Sequence, residues 1–200
     1  ETIGEVEVTM PFERIPAAFA AGETPTGSYA AHVVADAFLA YLPYADIAIQ
    51  NSGGVRTEFL SGPFTVADAY TMLPFSNTLA TLTMTGADVV AVLEDAADYA
   101  LNSGSTGAFP YASHLRFDVA KGADKGSRIR NVEVRDRESG EWAPIDPAAT
   151  YRVATNSFTA LGKDGYDTFA AVIAGAGIGS GNRQAPHIDF LAALAFRRLL

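Results

Sequence analysis

The feature that most constrains this sequence is an apolar run that ends in a pair of glycines. Residues 44–49 read as a buried strand, and three polar residues lead from it into Gly53 and Gly54. Adjacent glycines adopt backbone conformations that other residues avoid, and they let the backbone approach a ligand closely. The pattern therefore predicts a strand whose end forms a small binding loop.

Arg56 follows this loop and is isolated in the sequence. No other Lys or Arg occurs between Arg14 and Arg116, whereas the same interval holds nine acidic residues. A guanidinium recognises carboxylate, phosphate or planar polar groups through paired hydrogen bonds. Arg56 is thus a candidate ligand-binding residue, and the alternative is an ion pair with Glu58 or another nearby carboxylate.

The rest of the pattern predicts both helices and strands. A broad apolar face predicts a helix over residues 29–42, because Pro43 cannot continue it. Further helices are predicted to begin over residues 64–69 and to cover residues 87–101 and 188–200. Strands are predicted over residues 3–10, 44–49, 78–84, 129–134 and 151–156, and a turn and a strand are predicted within residues 109–119.

Composition and charge restrict the classes of partner. The chain has 200 residues, of which 48% are hydrophobic and 18% charged, which suits a single globular domain. Its net charge of −9 and its lack of a long basic run argue against a nucleic-acid polymer as partner, since such binding needs cations to neutralise phosphates. No apolar stretch reaches the roughly 18–20 residues that span a bilayer. The sequence contains no cysteine, which excludes disulfides and thiolate catalysis.

Four stretches, in this order, give the sequence a resemblance to a known family. They are Asn51-Ser52-Gly53-Gly54-Val55-Arg56, Leu73-Pro74-Phe75, Gly107-Ala108-Phe109-Pro110, and Tyr151-Arg152-Val153-Ala154-Thr155-Asn156 running into Gly162-Lys163-Asp164-Gly165-Tyr166. Together they resemble the C-terminal, substrate-recognition domain of the 5'-nucleotidase family, metallophosphoesterases that include UDP-sugar hydrolases and 2',3'-cyclic phosphodiesterases. The resemblance implies an α/β (α+β) fold in which a mixed β-sheet has flanking helices.

The resemblance also implies a substrate site. Phe75 and Tyr166 match two aromatic positions that sandwich a nucleobase, and stacking suits this task because every base has a flat face. From residue type alone, both rings would be expected in the core. The ribose and its neighbouring groups are expected to contact the glycine loop through four residues: Asn51, Gly53, Gly54 and Arg56.

Asn156 and Asp164 complete the expected substrate-binding set, and the role of each stays open. Each either supports the turn that presents Tyr166 or contacts the ligand directly. Lys163 departs from the family pattern, which has a glycine at this position. The substitution is expected to alter the rim of the site or to place a cation near the substrate.

Neither a catalytic residue nor a metal ligand is expected in this chain. Hydrolysis in the family uses two divalent metal ions held by His, Asp and Asn ligands. His32, His114 and His187 are far apart in the sequence and lie outside any metal-binding motif. Ser113 and His114 are neighbours on a predicted strand and would point to opposite faces, which argues against a nucleophile–base pair. The resemblance therefore implies that the two metal ions belong to a catalytic domain that precedes Glu1.

Residues 1–22 are accordingly expected to be the remnant of an interdomain connection, and residues 23–200 the nucleoside-recognition domain. The expected partners are a nucleoside or nucleotide and the protein's own N-terminal catalytic domain, without which this chain is expected to be inactive. The family implies a periplasmic, secreted or cell-surface location. Two alternatives stay open: a different substrate, such as a cyclic nucleotide, sugar nucleotide, dinucleotide or sulfur conjugate, or a stand-alone binding module without a catalytic partner.

Overall fold

The computed structural model describes residues 1–17, 27–176 and 183–184. These residues form an α+β fold in which helices flank a mixed sheet, so the predicted fold class is confirmed. The helices are α1 (Tyr29–Tyr41), α2 (Val66–Met72), α3 (Gly86–Asp98), α4 (Ser157–Ala160) and α5 (Asp167–Ala176). The strands are β1 (Thr2–Val6), β2 (Ile47–Asn51), β3 (Gly62–Thr65), β4 (Leu79–Thr85), β5 (Pro110–Ser113), β6 (Leu115–Val119), β7 (Ile129–Arg135), β8 (Trp142–Pro144), β9 (Thr150–Asn156) and β10 (Arg183–Gln184).

The main sheet has five strands in the order β10-β4-β9-β2-β5. Strands β2 and β9 are parallel neighbours with Ile47 opposite Val153, whereas the other pairs are antiparallel. Because β2 and β9 run in the same direction, their carboxyl ends, Asn51 and Asn156, meet at one edge of the sheet. That edge carries the residues of the candidate site.

The region predicted as a turn and a strand, residues 109–119, contains two strands that belong to different sheets. His114 has a φ of 56°, which places its backbone in the left-handed region that non-glycine residues seldom adopt. Strand β5 before it pairs with β2 in the main sheet, and β6 after it pairs with β7 in a separate sheet of order β6-β7-β8. The backbone reversal at His114 is therefore the hinge between the two sheets.

The helix predicted to begin within residues 64–69 starts two residues later than expected. Phe64 belongs to β3, and Thr65 caps α2 through a reciprocal pair of bonds with Asp68, a capping box. The same device starts α3, where Thr85 and Asp88 exchange bonds. The closing helix predicted over residues 188–200 lies outside the described residues.

The N-terminal segment packs onto the domain over its described part. Strand β1 pairs antiparallel with β3, and Ile3 and Val6 are buried in the common core. Met10 forms a bridge with Phe59, with its amide donating to the Phe59 carbonyl at 2.8 Å. Residues 18–26 lie outside the described part of the chain, so the division predicted at residue 22 stays a prediction. The described segment is nonetheless part of the packed structure, not a detached arm.

In the described residues, none of the helices has both the length and the apolar character needed to cross a membrane.

Candidate functional site

A network of side-chain amides joins the ends of β2 and β9. The Asn156 amide donates to Gln50 Oε1 and to Asn51 Oδ1, both at 2.9 Å, and all three side chains are buried. Asn156 Oδ1 accepts from the Thr159 amide at 3.0 Å and so caps α4. Because its donor and acceptor atoms all bond to protein, Asn156 supports the site and does not present a free group to a ligand.

The two glycines of the loop after β2 are required by close packing. A Cβ atom at Gly53 would lie 2.9 Å from the Gly107 Cα, and one at Gly54 would overlap Gln50 Nε2. Distances this short do not occur for real Cβ atoms, so a side chain would displace the neighbouring loop or the amide network. Because Gly53 has no side chain, its loop can pack directly against the loop that contains Gly107. Gly54 in the same way leaves room for the Gln50 amide.

Asp164 lies in a tight turn that brings its carboxylate to the amide network. Its φ of 55° is left-handed, and Gly162 and Gly165 on either side have φ values of 78° and 76°. A Cβ at Gly165 would fall 2.5 Å from the Tyr99 ring, so the turn is seated against the end of α3. Asn51 Nδ2 donates to Asp164 Oδ2 at 3.2 Å, which links the turn to the end of β2.

Burial raises the pKa of the Asp164 carboxyl, and the Asn51 hydrogen bond and the Arg14 charge oppose that rise. A raised folded-state pKa means that the fold favours the protonated carboxyl, so this contribution to stability is lost as the pH rises through the folded-state pKa. Relative to Asp164→Asn, which cannot ionise, the wild-type chain is expected to lose stability between acid pH and neutrality. Thermal unfolding of both proteins across that pH range measures this loss of stability. A difference between the two melting temperatures that does not change with pH would contradict a raised pKa for Asp164.

These elements surround an open cavity of about 280 Å³. This volume lies near the lower end of the roughly 300–1,000 Å³ typical of small-molecule sites. The cavity is lined by residues from the N-terminal segment, the loops after β2 and α2, the loop before β5, and the region after β9. They are Arg14, Asn51, Gly53, Gly54, Arg56, Phe75, Asn77, Ser105, Gly107, Phe158 and Asp164. The structure thus brings together six of the eight expected substrate-binding residues.

Arg56 lies beside one of the aromatic rings of the cavity. Its guanidinium carbon is 5.7 Å from the centroid of the Phe75 ring, within cation–π range, and one of its nitrogens donates to the Gly53 carbonyl at 3.3 Å. In the described part of the chain, no carboxylate pairs with Arg56 within 4.0 Å. The alternative of an ion pair with Glu58 is therefore wrong for this structure.

The structure places Tyr166 in the core, not in the cavity. Its side chain is 0% exposed, its ring stacks on Phe169 with centroids 5.7 Å apart, and its hydroxyl donates to the Ala108 carbonyl at 2.9 Å. A ring that stacks on a base needs one face open to the ligand. Tyr166 has no such open face, so the expected pairing of Phe75 with Tyr166 is not formed here. Tyr166 instead anchors the Asp164 turn to the loop that precedes β5.

The second exposed ring of the cavity is Phe158, which the sequence reasoning missed. Phe75 is 46% exposed and Phe158 is 39% exposed, and both line the same cavity. Phe158 lies in the first turn of α4, whose start is fixed by the Asn156 cap. The sequence did contain a signal for this ring. Asn156 ends a predicted strand and is a residue type that caps helices, so an aromatic residue two positions later would lie in the first helical turn, next to the strand end. Asn77, Ser105 and Arg14 were also missed.

Ser113 and His114 do not form a catalytic pair. The Ser113 hydroxyl donates to the Asp36 carboxylate, and the buried His114 Nδ1 has no hydrogen-bond partner among the described residues. In the same part of the chain, no group of three or more His, Asp and Glu side chains is arranged to hold a metal ion. His187 lies outside the described residues. The cavity offers flat rings, amides, one carboxylate and guanidinium groups, which suits it to bind a flat polar molecule.

The fold and this cavity define the chain as an α+β domain with an open cavity where two parallel strands end. Residues 2–171 match the family model described as the 5'-nucleotidase, C-terminal domain. The chain therefore belongs to the 5'-nucleotidase family, as its C-terminal domain, and the resemblance inferred from the four sequence stretches is confirmed.

Individual relatives agree with this assignment. The chain is 47% identical over 150 residues to the NAD 5'-nucleotidase of Haemophilus influenzae, which covers 74% of this chain and 25% of the relative. The solved structure of the Haemophilus influenzae NAD nucleotidase superposes with a TM-score of 0.84 and 39% identity, over 100% of this chain and 35% of that one. The 5'-nucleotidase precursor of Thermus thermophilus gives a TM-score of 0.76 and 29% identity, over 99% and 36%. The chain thus spans about a quarter of the length of the curated relative.

Proposed function

We propose that this chain is the nucleoside- and nucleotide-recognition domain of a two-domain, metal-dependent 5'-nucleotidase-like hydrolase, and that the base stacks between Phe75 and Phe158. The observation that carries the proposal is the pair of exposed phenylalanine rings on one cavity. Large apolar rings are normally buried, and two of them exposed around a polar cavity favour a flat ligand. Family membership supplies the class of that ligand.

The polar residues of the cavity suit the sugar. Asp164 accepts from Asn51 through Oδ2 and is free to accept a ribose hydroxyl through its other oxygen. Gly53, Gly54 and Gly107 line the cavity, so we expect backbone groups of these loops to approach the ligand closely. Arg56 lies beside the Phe75 ring, and we expect it to contact the base edge or the sugar. Lys163 lies in the same turn as Asp164, and we retain the expectation that it alters the rim of the site or places a cation near the substrate.

Hydrolysis is assigned to a separate N-terminal catalytic domain of the same protein. Two divalent metal ions on that domain would activate water and stabilise the phosphoryl group during displacement. The residues of this chain bind and orient the substrate, and none is assigned to a proton transfer or a nucleophilic step. The intact protein would then be a phosphoric ester hydrolase in nucleotide catabolism, and we retain the expectation of a periplasmic or secreted location.

Calorimetric titration of the 200-residue chain with adenosine and AMP tests the proposal. Saturable binding with one site per chain is expected, and no phosphate release from AMP after divalent metal is added. The absence of binding to adenosine, AMP and NAD would overturn the recognition function. Phosphate release by the purified chain alone would overturn the assignment of catalysis to another domain.

A dinucleotide substrate is the second candidate, and one observation favours it. The Haemophilus influenzae relative at 47% identity is named an NAD 5'-nucleotidase. Comparing the thermal stabilisation of the chain by NAD and by AMP at equal concentration distinguishes the two, since the preferred ligand stabilises more. A stand-alone binding module stays a further alternative, and the sequence that precedes Glu1 in the gene decides between it and a two-domain enzyme.

A further inference from the structure

The connection between β6 and β7, residues 120–128, is held onto α3 by acidic side chains that do not line the cavity. The two oxygens of Glu94 accept backbone amides from this connection and from the start of β7, each at 2.8 Å. Asp95 forms an ion pair with Lys125 at 2.6 Å. Glu94 and Asp95 are both buried, and buried carboxylates need such partners. The connection is therefore fixed to the C-terminal half of α3.

Arg128 joins the same connection to the last residue of α3. Its buried guanidinium contacts Asp98 Oδ1 through Nε at 3.3 Å and Nη2 at 3.2 Å, and Nη1 donates to the Lys121 carbonyl at 2.7 Å. Asp98 lies one helical turn after Glu94 and Asp95, so three acidic side chains are close together at this end of α3. Like charges at this spacing destabilise a helix, and the Arg128 guanidinium offsets that repulsion.

The helical form of the chain changes immediately after Asp98. Residues Tyr99–Ser103 form a π-helical turn, a rare arrangement that often occurs at functional sites, and Gly104 ends it with a φ of 109°. The Asp98 oxygen that contacts Arg128 also accepts from the Asn102 side chain at 2.7 Å. The Arg128–Asp98 pair therefore lies at the start of the π-helical turn and is hydrogen-bonded to it.

The π-helical turn supports two parts of the cavity wall. Ser105 and Gly107 follow it closely in the chain and line the cavity. Its first residue, Tyr99, packs against Gly165, which adjoins the cavity residue Asp164. A displacement of the turn would therefore move both parts of the wall, although the ion pair at its start does not itself line the cavity.

We infer that Arg128 is a positioning residue for ligand binding, which acts on the cavity through Asp98 and the π-helical turn. The inference rests on the proposed function. Removing one partner of a buried ion pair leaves the other charge uncompensated. The Asp98 side chain is partly exposed, so without Arg128 it would turn toward water and draw the end of α3 with it. The cavity wall would then be less ordered before binding, and a ligand that must order its site binds less tightly.

The test measures adenosine affinity by calorimetry for the wild-type chain, Arg128→Gln and Arg128→Lys. Arg128→Gln is expected to weaken adenosine binding roughly three- to tenfold, the size of effect typical of residues that act on a ligand without touching it. Arg128→Lys keeps the charge that faces Asp98 and is expected to recover part of the loss. Thermal unfolding shows whether each variant is folded at the temperature of the titration.

Amide hydrogen exchange supplies a readout that separates positioning from a general loss of stability. In Arg128→Gln without ligand, exchange is expected to accelerate more at residues 99–107 than in α1, because the ion pair holds the π-helical turn locally. A general loss of stability would accelerate exchange in both regions alike. Equal acceleration in the two regions would therefore overturn the inference.

Arg137→Gln is the matched control for the loss of an arginine that holds backbone carbonyls. The Arg137 guanidinium donates to the Ala45 and Leu39 carbonyls near the end of α1, outside the cavity lining. Its replacement is expected to leave adenosine affinity unchanged even if it lowers the melting temperature. Wild-type affinity in Arg128→Gln, or equal weakening in Arg137→Gln, would overturn the inference. If the wild-type chain binds neither adenosine nor AMP, the proposed function fails and the inference with it, which is a distinct result.

Discussion

Replacing Phe158 with alanine is expected to weaken adenosine binding by roughly 5- to 150-fold, because stacking on an aromatic ring contributes about 1–3 kcal/mol per base. The ring lines the cavity and is 39% exposed, so its removal does not open the core. The fold should therefore remain intact while one wall of the base-binding slot is lost. Calorimetric titration with adenosine measures the effect, and thermal unfolding checks that the variant is folded.

Leu161→Ala provides the matched control for this prediction. Leu161 follows α4 directly and is 64% exposed, but it does not line the cavity. Its truncation removes an exposed apolar side chain from the same region and is expected to leave adenosine affinity unchanged. The stacking role is contradicted if Phe158→Ala binds adenosine as tightly as the wild-type chain, or if Leu161→Ala weakens binding by the same factor.

Replacing Asn156 with alanine is expected to lower the free energy of unfolding by about 3 kcal/mol or more, as the sum of two losses. The loss of the α4 cap costs about 1 kcal/mol. The buried oxygens of Gln50 and Asn51 each lose a donor, and an unpaired buried polar group costs about 1–3 kcal/mol. Urea denaturation of the two proteins gives the difference. Binding of adenosine should weaken too, since Asn156 holds both Asn51 and the helix that carries Phe158.

Asn102→Ala is the control for this second prediction. Asn102 is exposed and donates to the Asp98 carboxylate at 2.7 Å, so its replacement removes the same amide group from a solvent-facing pair. Such surface changes usually stay within about 0.5 kcal/mol. A loss of stability at Asn156 no larger than that at Asn102 would show that the amide network does not hold the strand ends together.

Much of the site could be predicted because its residues sit at the end of a strongly apolar strand. The run that forms β2 is fully buried, and its end delivers Asn51, Gly53 and Gly54 to the cavity as expected. Arg56 was identified from its isolation among acidic residues, and it has no carboxylate partner among the described residues. Local sequence carried enough information here because the loop and its candidate ligand-binding residues are contiguous in the chain.

The second ring of the slot could not be predicted in the same way. Phe158 and Tyr166 lie on either side of one tight turn, and Phe158 lines the cavity because it follows the Asn156 cap of α4. Tyr166 instead packs against Phe169 and donates to the Ala108 carbonyl. The burial of Tyr166 depends on packing between distant segments, which the order of residues along the chain does not reveal.

The role of the N-terminal segment was also beyond local sequence reasoning. Pro11 and Pro16 interrupt any regular pattern there, so the segment reads as a connection. Its placement depends instead on a hydroxyl from Tyr111, a residue distant along the chain. Only the folded arrangement shows that Arg14 reaches the same cavity as Phe75 and Phe158.

Intermolecular nuclear Overhauser effects between adenine and the chain give the most direct test of the base-binding slot. With adenosine bound, the adenine H2 and H8 protons are expected to show contacts to the ring protons of both Phe75 and Phe158, and none to those of Tyr166. Contacts to Tyr166, or to only one of the two phenylalanine rings, would contradict stacking between Phe75 and Phe158.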